Sequence, residues 1–421
     1  MTNMAKVFAS IITIGDELLI GQVIDTNSAW MAQQLNEYGI FVQERISVGD
    51  NKNDIWNALD SCSARSPLVL ITGGLGPTAD DITKPLLCEY FGGKMVMDEK
   101  VLAHVEQIFK RFNRPMLDRN RKQAEVPDVC TVLFNERGTA PGMWFEKGGV
   151  IFVSLPGVPH EMKGLMTGEV LPRVGAKMAL PSIVHRTLLT AGIGESFLAE
   201  TIQAWEEALP ENIKLAYLPN YGMVRLRLTG HGPDKQGLTN QVELEFEKLK
   251  NLVKEWLVTD RDEKIEQAIG RILQEKGLCM ATAESCTGGY MAHLITSIPG
   301  SSTYFKGSVV SYSNDLKTNL LGVPEETIAG HGAVSQPVVE QMARGVLSQT
   351  GAEVAVAVSG IMGPDGGSPD KPVGTVWMAV ANTEKTEAKA MHFRYDRQRN
   401  IELTATHALN FLRVFVLENY A

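Results

Sequence analysis

Apolar residues follow two alternating rhythms along the first part of the chain. Near-continuous apolar runs, KVFASIITIG (6–15), PLVLITGG (67–74) and GGVIFVSLPGVP (148–159), alternate with segments at 26–39 and 51–65 whose apolar positions recur every three to four residues. A strand buried on both faces reads as a continuous apolar run, and a helix covering it shows the longer period. FVQERISVG (41–49) adds a strand, while 80–93 and 98–113 add helices. Residues 1–170 are therefore expected to form an α/β domain with a parallel sheet.

The texture then changes. Residues 185–209 read as strand, turn and helix, 213–230 as two strands around a Pro-Asn-Tyr-Gly turn, and 237–257 as one long amphipathic helix. This predicts a small α+β domain over 171–257. From 258 to 421 the alternation returns, with strands LCMATAES, GSVVSYS, AEVAVAVSG and TVWMAVA separated by helical stretches. The expected fold class is α/β: two three-layer α/β domains joined by a small α+β domain.

Composition narrows the function. With 421 residues and 44% hydrophobic content the chain can bury several cores. A net charge of -9 argues against a protein that wraps nucleic acid, and the middle domain lacks the GXXG loop that clamps an RNA backbone. Five scattered cysteines without a CxxC pair suggest neither a disulfide framework nor a zinc site. No apolar stretch approaches membrane-spanning length, and the N-terminal run is broken by Asp16 and Glu17. A cytoplasmic protein that handles small molecules is the expectation, with no nucleic-acid or membrane partner.

Ligands of open α/β sheets sit beyond the carboxyl ends of the strands. There the C-terminal domain delivers Glu284, Ser285, Cys286 and Thr287, then Tyr312, Ser313 and Asn314 with Lys317 one turn on, then Ser359 and Gly360. No histidine occupies a strand end, so a desolvated lysine is the candidate base for a serine nucleophile. Amides of Thr287 and Gly288 could hold an oxyanion or a phosphate. The same residue types also cap helices, so the residues alone leave both readings open.

Taken together, AESCTGG (283–289), GSVVSYSNDLK (307–317), HGAVS (331–335) and VSGIMGPDGGSPDKPVGTVW (358–377) resemble the C-terminal domain of the CinA family. That domain is similar to nicotinamide mononucleotide deamidases, which release ammonia and nicotinate mononucleotide without a cofactor. The resemblance implies Ser285 as nucleophile, Lys317 as base, Tyr312 as support and a further hydroxyl at Ser359, where threonine is usual. It also points to Thr287, Gly288, Gly289, Asn314, Gly360 and Gly363 around the substrate. Cys286 is expected to be a packed neighbour.

ITGGLGPTADDIT (71–83), GDELLIGQVIDTNS (15–28) and SLPGVPHEM (154–162) resemble the molybdopterin-binding fold as CinA proteins carry it. Gly73, Gly74 and Gly76 would let the backbone turn closely around a phosphate, and Asp80 and Asp81 would hold a divalent cation. The resemblance implies an ADP-ribose pyrophosphatase dependent on Mg, Mn or Co, with Asp81 catalytic and Glu17, Asn27, Asp50, Arg119, Arg121 and Lys122 contacting the nucleotide. It further implies a homodimer. Two other readings stand beside this pair of hydrolases: a molybdopterin-binding protein and a non-enzymatic competence accessory.

Overall fold

The computed structural model describes residues 6–78, 81–220 and 222–420. The chain divides into two compact units, residues 1–184 with 230–240, and residues 185–229 with 241–421.

In the first unit a six-stranded sheet runs Ile40–Val48, Val7–Ile14, Leu68–Thr72, Val150–Leu155, Gly142–Lys147, Thr131–Leu133. The first four strands are parallel, as the apolar runs predict. Their continuity has a visible cause: Ile11, Leu70 and Val153 face one core with Met31 and Leu35, while Ile12, Val69 and Ile71 face another with Ile55 and Leu59. The last two strands are antiparallel, a departure from the expected parallel sheet. Gly142–Lys147 returns through a Gly148-Gly149 turn, a two-residue hairpin loop, and Thr131–Leu133 is too short to show a period.

The second unit contains two sheets. Ile213–Asn220, Met223–Gly232, Ser182–Ala191 and Leu257–Thr259 lie in that order in a four-stranded sheet. Phe305–Val310, Met280–Glu284, Val354–Gly360, Thr375–Ala381 and Thr386–His392 form a five-stranded one. Its first three strands are parallel and its last two antiparallel. Leu189, Met223 and Val258 of the smaller sheet share one core with Ile269, Met280 and Val356 of the larger. That core also takes Leu403, Leu409, Leu412 and Phe415 from the helix Arg397–Asn419. Neither this helix nor the edge strand Thr386–His392 is anticipated from the sequence; the strand is partly exposed and reads TEAKAMH.

Candidate active sites in the two units

The strand Met280–Glu284 is buried throughout and stops at a carboxylate. Glu284 is fully buried, and its Oε2 accepts Thr287 Oγ1 at 2.7 Å, Gly289 N at 3.1 Å and Met291 N at 3.0 Å, while Oε1 accepts Ala292 N at 2.8 Å. Free amides at the start of the helix Tyr290–Thr296 are thus satisfied from inside the protein. This corrects the expected role of the turn. Gly288 N donates to Ser285 O, and Gly289 N and the Thr287 hydroxyl serve Glu284. Among the described residues, the amides of Cys286 and Thr287 find no backbone carbonyl acceptor. The amide pair available to an anion therefore sits one residue earlier than Thr287 and Gly288.

Ser285 leaves the strand with its amide tied to Val358 O at 3.1 Å. Lys317, on the helix Asn314–Leu321 that Ser313 caps, returns over the strand ends. Its Nζ lies 3.0 Å from Ser285 Oγ and donates to Ser311 O at 2.7 Å. The side chain is 1% exposed, and burial pushes its pKa below that of an ordinary lysine. A neutral amine here can keep donating to Ser311 O while its lone pair faces the serine hydroxyl. The thiol of Cys286 is packed in the core, and burial pushes its pKa up to about 12. It stays protonated at neutral pH and makes a poor nucleophile.

A cavity of about 200 Å³ opens over these atoms, lined among others by Ser285, Tyr312, Asn314, Lys317, Ser359 and Gly360. Ser359 donates to Ala333 O at 2.8 Å, so its hydroxyl proton is engaged with the 331–335 loop. Thr287, Gly288, Gly289 and Gly363 are not in the lining. Arg397, absent from the sequence reading, is. Its guanidinium donates to Gly363 O at 2.7 Å and to the Tyr312 hydroxyl at 3.0 Å. It opens the helix that Asp396 caps, and nothing in the local stretch YDRQRN separates it from a solvated charge.

In the first unit a cavity of about 360 Å³ lies over the strand ends Ile14 and Thr72, and Glu17, Asn27, Gly73, Gly74, Gly76 and Asp81 all line it. The glycines are dictated by close contacts. Gly73 (φ 115°) and Gly74 (φ 64°) occupy left-handed backbone, and a Cβ there would strike Ile14 O or the Thr83 side chain. Asp81 closes the same loop: Oδ1 accepts Gly76 N at 2.7 Å, and Oδ2 accepts Thr78 N at 2.9 Å and the Thr78 hydroxyl. Asn27 Nδ2 donates to Gly157 O at 2.7 Å, and its buried Oδ1 has no partner.

Asp50, Arg119, Arg121 and Lys122 do not line this cavity. Asp50 and Asp16 exchange hydrogen bonds, Asp50 Oδ2 accepting Asp16 N at 3.1 Å. Arg121 pairs with Glu106 at 3.2 Å, and Arg119 and Lys122 lie outside the lining. Asp80 falls outside the described residues. Lys84, which sequence reasoning missed, is buried with its pKa lowered to about 8 by desolvation; it donates to Gln123 O at 2.9 Å, and Gln123 in turn holds Leu75 O at 3.3 Å.

Among the described residues no three His, Cys, Asp or Glu side chains converge as a metal cage. Asp81 retains about one lone-pair site of the roughly four that a carboxylate offers. That set fits a Mg-like ion held by one carboxylate together with water and substrate phosphate, and no closed protein site. No helix among the described residues is long and apolar enough to cross a membrane.

Similarities to known proteins cover most of the chain. Residues 10–176 match the "Probable molybdopterin binding domain", 185–258 the "Damage-inducible protein CinA KH domain" and 262–416 the "CinA C-terminal domain". A CinA-like protein of Flavobacterium psychrophilum is 46% identical over 98% of this chain and 99% of its own length. One from Cytophaga hutchinsonii is 44% identical over 97% of each. The crystal structure of the competence/damage inducible protein CihA from Agrobacterium tumefaciens is 41% identical, with a TM-score of 0.35, and spans 36% of this chain and 94% of its own. With near full-length identity of this order, the chain belongs to the CinA family.

Proposed function

We propose that the protein is a bifunctional pyridine-nucleotide hydrolase, with an amidohydrolase in the C-terminal unit acting on nicotinamide mononucleotide. The contact between Ser285 Oγ and the buried Lys317 Nζ, at 3.0 Å, carries this reading. Neutral Lys317 takes the hydroxyl proton as Ser285 Oγ attacks the carboxamide carbon. The oxyanion forms beside the amides of Cys286 and Thr287, and the protonated lysine then returns the proton to the leaving ammonia. Water repeats the cycle on the acyl-enzyme. Arg397, anchored to Gly363 O and Tyr312, supplies a fixed positive charge at the rim for the substrate phosphate.

In the N-terminal unit we propose hydrolysis of ADP-ribose to AMP and ribose 5-phosphate. The glycine loop receives the pyrophosphate, and the orphaned Asn27 Oδ1 accepts a hydrogen bond from the nucleotide. A divalent cation held at Asp81 with the substrate would neutralise charge developing on the phosphoryl oxygens. Ammonia release from nicotinamide mononucleotide and AMP release from ADP-ribose, assayed on one preparation, test the two halves separately. Absence of both would leave a binding or accessory role.

A further inference from the structure

The helix Thr83–Phe91 starts against the glycine loop of the N-terminal cavity, where Thr83 N donates to Gly74 O at 3.2 Å. Its second residue, Lys84, is 6% exposed and lies outside the cavity lining. The ammonium donates to Gln123 O at 2.9 Å. Burial lowers its pKa to about 8, while Glu125, Cys130 and Asp81 oppose that shift through space, without a hydrogen bond to it. The group therefore stays mostly protonated at neutral pH. One bond to a carbonyl does not offset the desolvation of an ammonium, and a methionine would fill similar space. Packing alone does not account for a lysine here.

The residue that Lys84 holds is itself a brace. Gln123 is 3% exposed, and Thr139 Oγ1 donates to its Oε1 at 3.3 Å. That bond turns Nε2 toward Leu75 O, also at 3.3 Å. Leu75 stands between Gly74 and Gly76, and all three line the cavity. Asp81 holds the same loop from its other side, at Gly76 N and Thr78 N. Lys84 is the cation in this set of braces.

We propose that Lys84 is a positioning residue for the N-terminal site: its ammonium fixes the Gln123 backbone, Gln123 fixes Leu75, and the glycine loop is thereby held in the shape that receives a diphosphate. The inference rests on reading this cavity as the ADP-ribose pyrophosphatase site. Lys84 acts through Gln123 and Leu75 and touches no substrate atom. Its removal lets the loop relax and withdraws a positive charge from the protein behind the phosphates, where a low dielectric strengthens its field.

Hydrogen exchange and kinetics on the full-length protein test this role. The amides of Gly73, Gly76 and Thr78 are hydrogen-bonded and report the loop directly. Lys84→Met should speed their exchange at least about tenfold and lower kcat/KM for AMP release from ADP-ribose at least about tenfold, chiefly in kcat. Its melting temperature should be equal or higher, because a buried charge has gone. Gln123→Met keeps the carbonyl and removes the side-chain amide, so it should reproduce both losses. The double variant should lose hardly more than the worse single one, as expected of residues in one network. Loop exchange as slow in Lys84→Met as in the wild type would overturn the proposal. So would additive losses in the double variant, or a lowered melting temperature with kcat/KM unchanged. A wild type that releases no AMP overturns the ADP-ribose reading instead, and loop exchange then decides the role of Lys84 by itself.

Discussion

A carboxylate braces the loop beside each strand-end cavity, but only in the N-terminal unit does that carboxylate also line the cavity. In the C-terminal unit the predicted serine and lysine meet at 3.0 Å, and a different carboxylate, Glu284, holds the neighbouring turn together. In the N-terminal unit the predicted carboxylate, Asp81, itself holds the loop through Gly76 and Thr78. An acid beside a glycine loop is thus a structural clamp in both places. In the C-terminal unit the clamp leaves a serine hydroxyl free to meet a buried lysine, whereas in the N-terminal unit the clamping carboxylate itself lines the cavity.

The largest expected effect breaks the comparison at its sharper end. Ser285→Ala and Lys317→Ala should each lower kcat for deamidation by at least about a hundredfold, and the double variant should lose hardly more, because the pair acts as one unit. AMP release from ADP-ribose should be unchanged in all three. If Lys317→Ala keeps substantial deamidation, the 3.0 Å contact is structural and the contrast between the units disappears.

Asp81 sharpens the other end. Asp81→Ala should abolish most ADP-ribose hydrolysis and also lower the melting temperature, since two loop amides lose their acceptor at a cost of about 1–3 kcal/mol. A purely catalytic carboxylate would leave melting unaffected. Chelation with EDTA should silence AMP release and spare ammonia release; loss of both would assign a metal-activated water to the Ser285 site.

The pH profile separates the two sites more gently. Burial lowers the Lys317 pKa, so the reactive neutral form grows in as pH rises through a value below the ordinary lysine range. The kcat/KM for nicotinamide mononucleotide should rise with pH through that apparent pKa, and the profile for ADP-ribose should lack that limb. A rate independent of pH over this range would remove Lys317 as the base. The smallest effect belongs to Cys286→Ala, which should retain deamidation and cost about 1 kcal/mol of packing, read from urea unfolding. Inactivity in this variant would move the nucleophile from Ser285 to its neighbour.

A further contrast lies in stability. His407 is partly buried beside Lys389, and desolvation first, then that charge, lowers its pKa to about 4. The unfolded chain binds this proton more readily than the folded one, so stability falls as pH drops from about 6.5 toward 4. Melting of the wild type should show this slope, and His407→Gln should lose it.

Legibility varied in the same way between elements. The central parallel strands of both large sheets were readable because they are buried on two faces and written as unbroken apolar runs, as in LVLIT and VAVAVSG. The antiparallel additions Gly142–Lys147 and Thr386–His392 were not, since an edge or hairpin partner takes half its character from the strand it joins. Ser285, Tyr312, Lys317 and Ser359 could be placed at one rim from strand order alone. Arg397 could not: it lies 85 residues beyond the Tyr312 it bonds, and its local sequence is that of an exposed helix start.

The sequence by itself determined the alternation of buried strands and covering helices, the strand ends where ligands gather, and the residue types available there. Those follow from local periodicity and chain order, which need no knowledge of distant contacts. Only the tertiary structure decided which groups are engaged and which are free. Glu284 rather than a ligand satisfies the helix amides, Asp81 is tied to its own loop, and burial makes Lys317 a weaker base than lysine in water. Hydrogen-bond partners and desolvation are properties of the packed whole, and no window of the chain contains them.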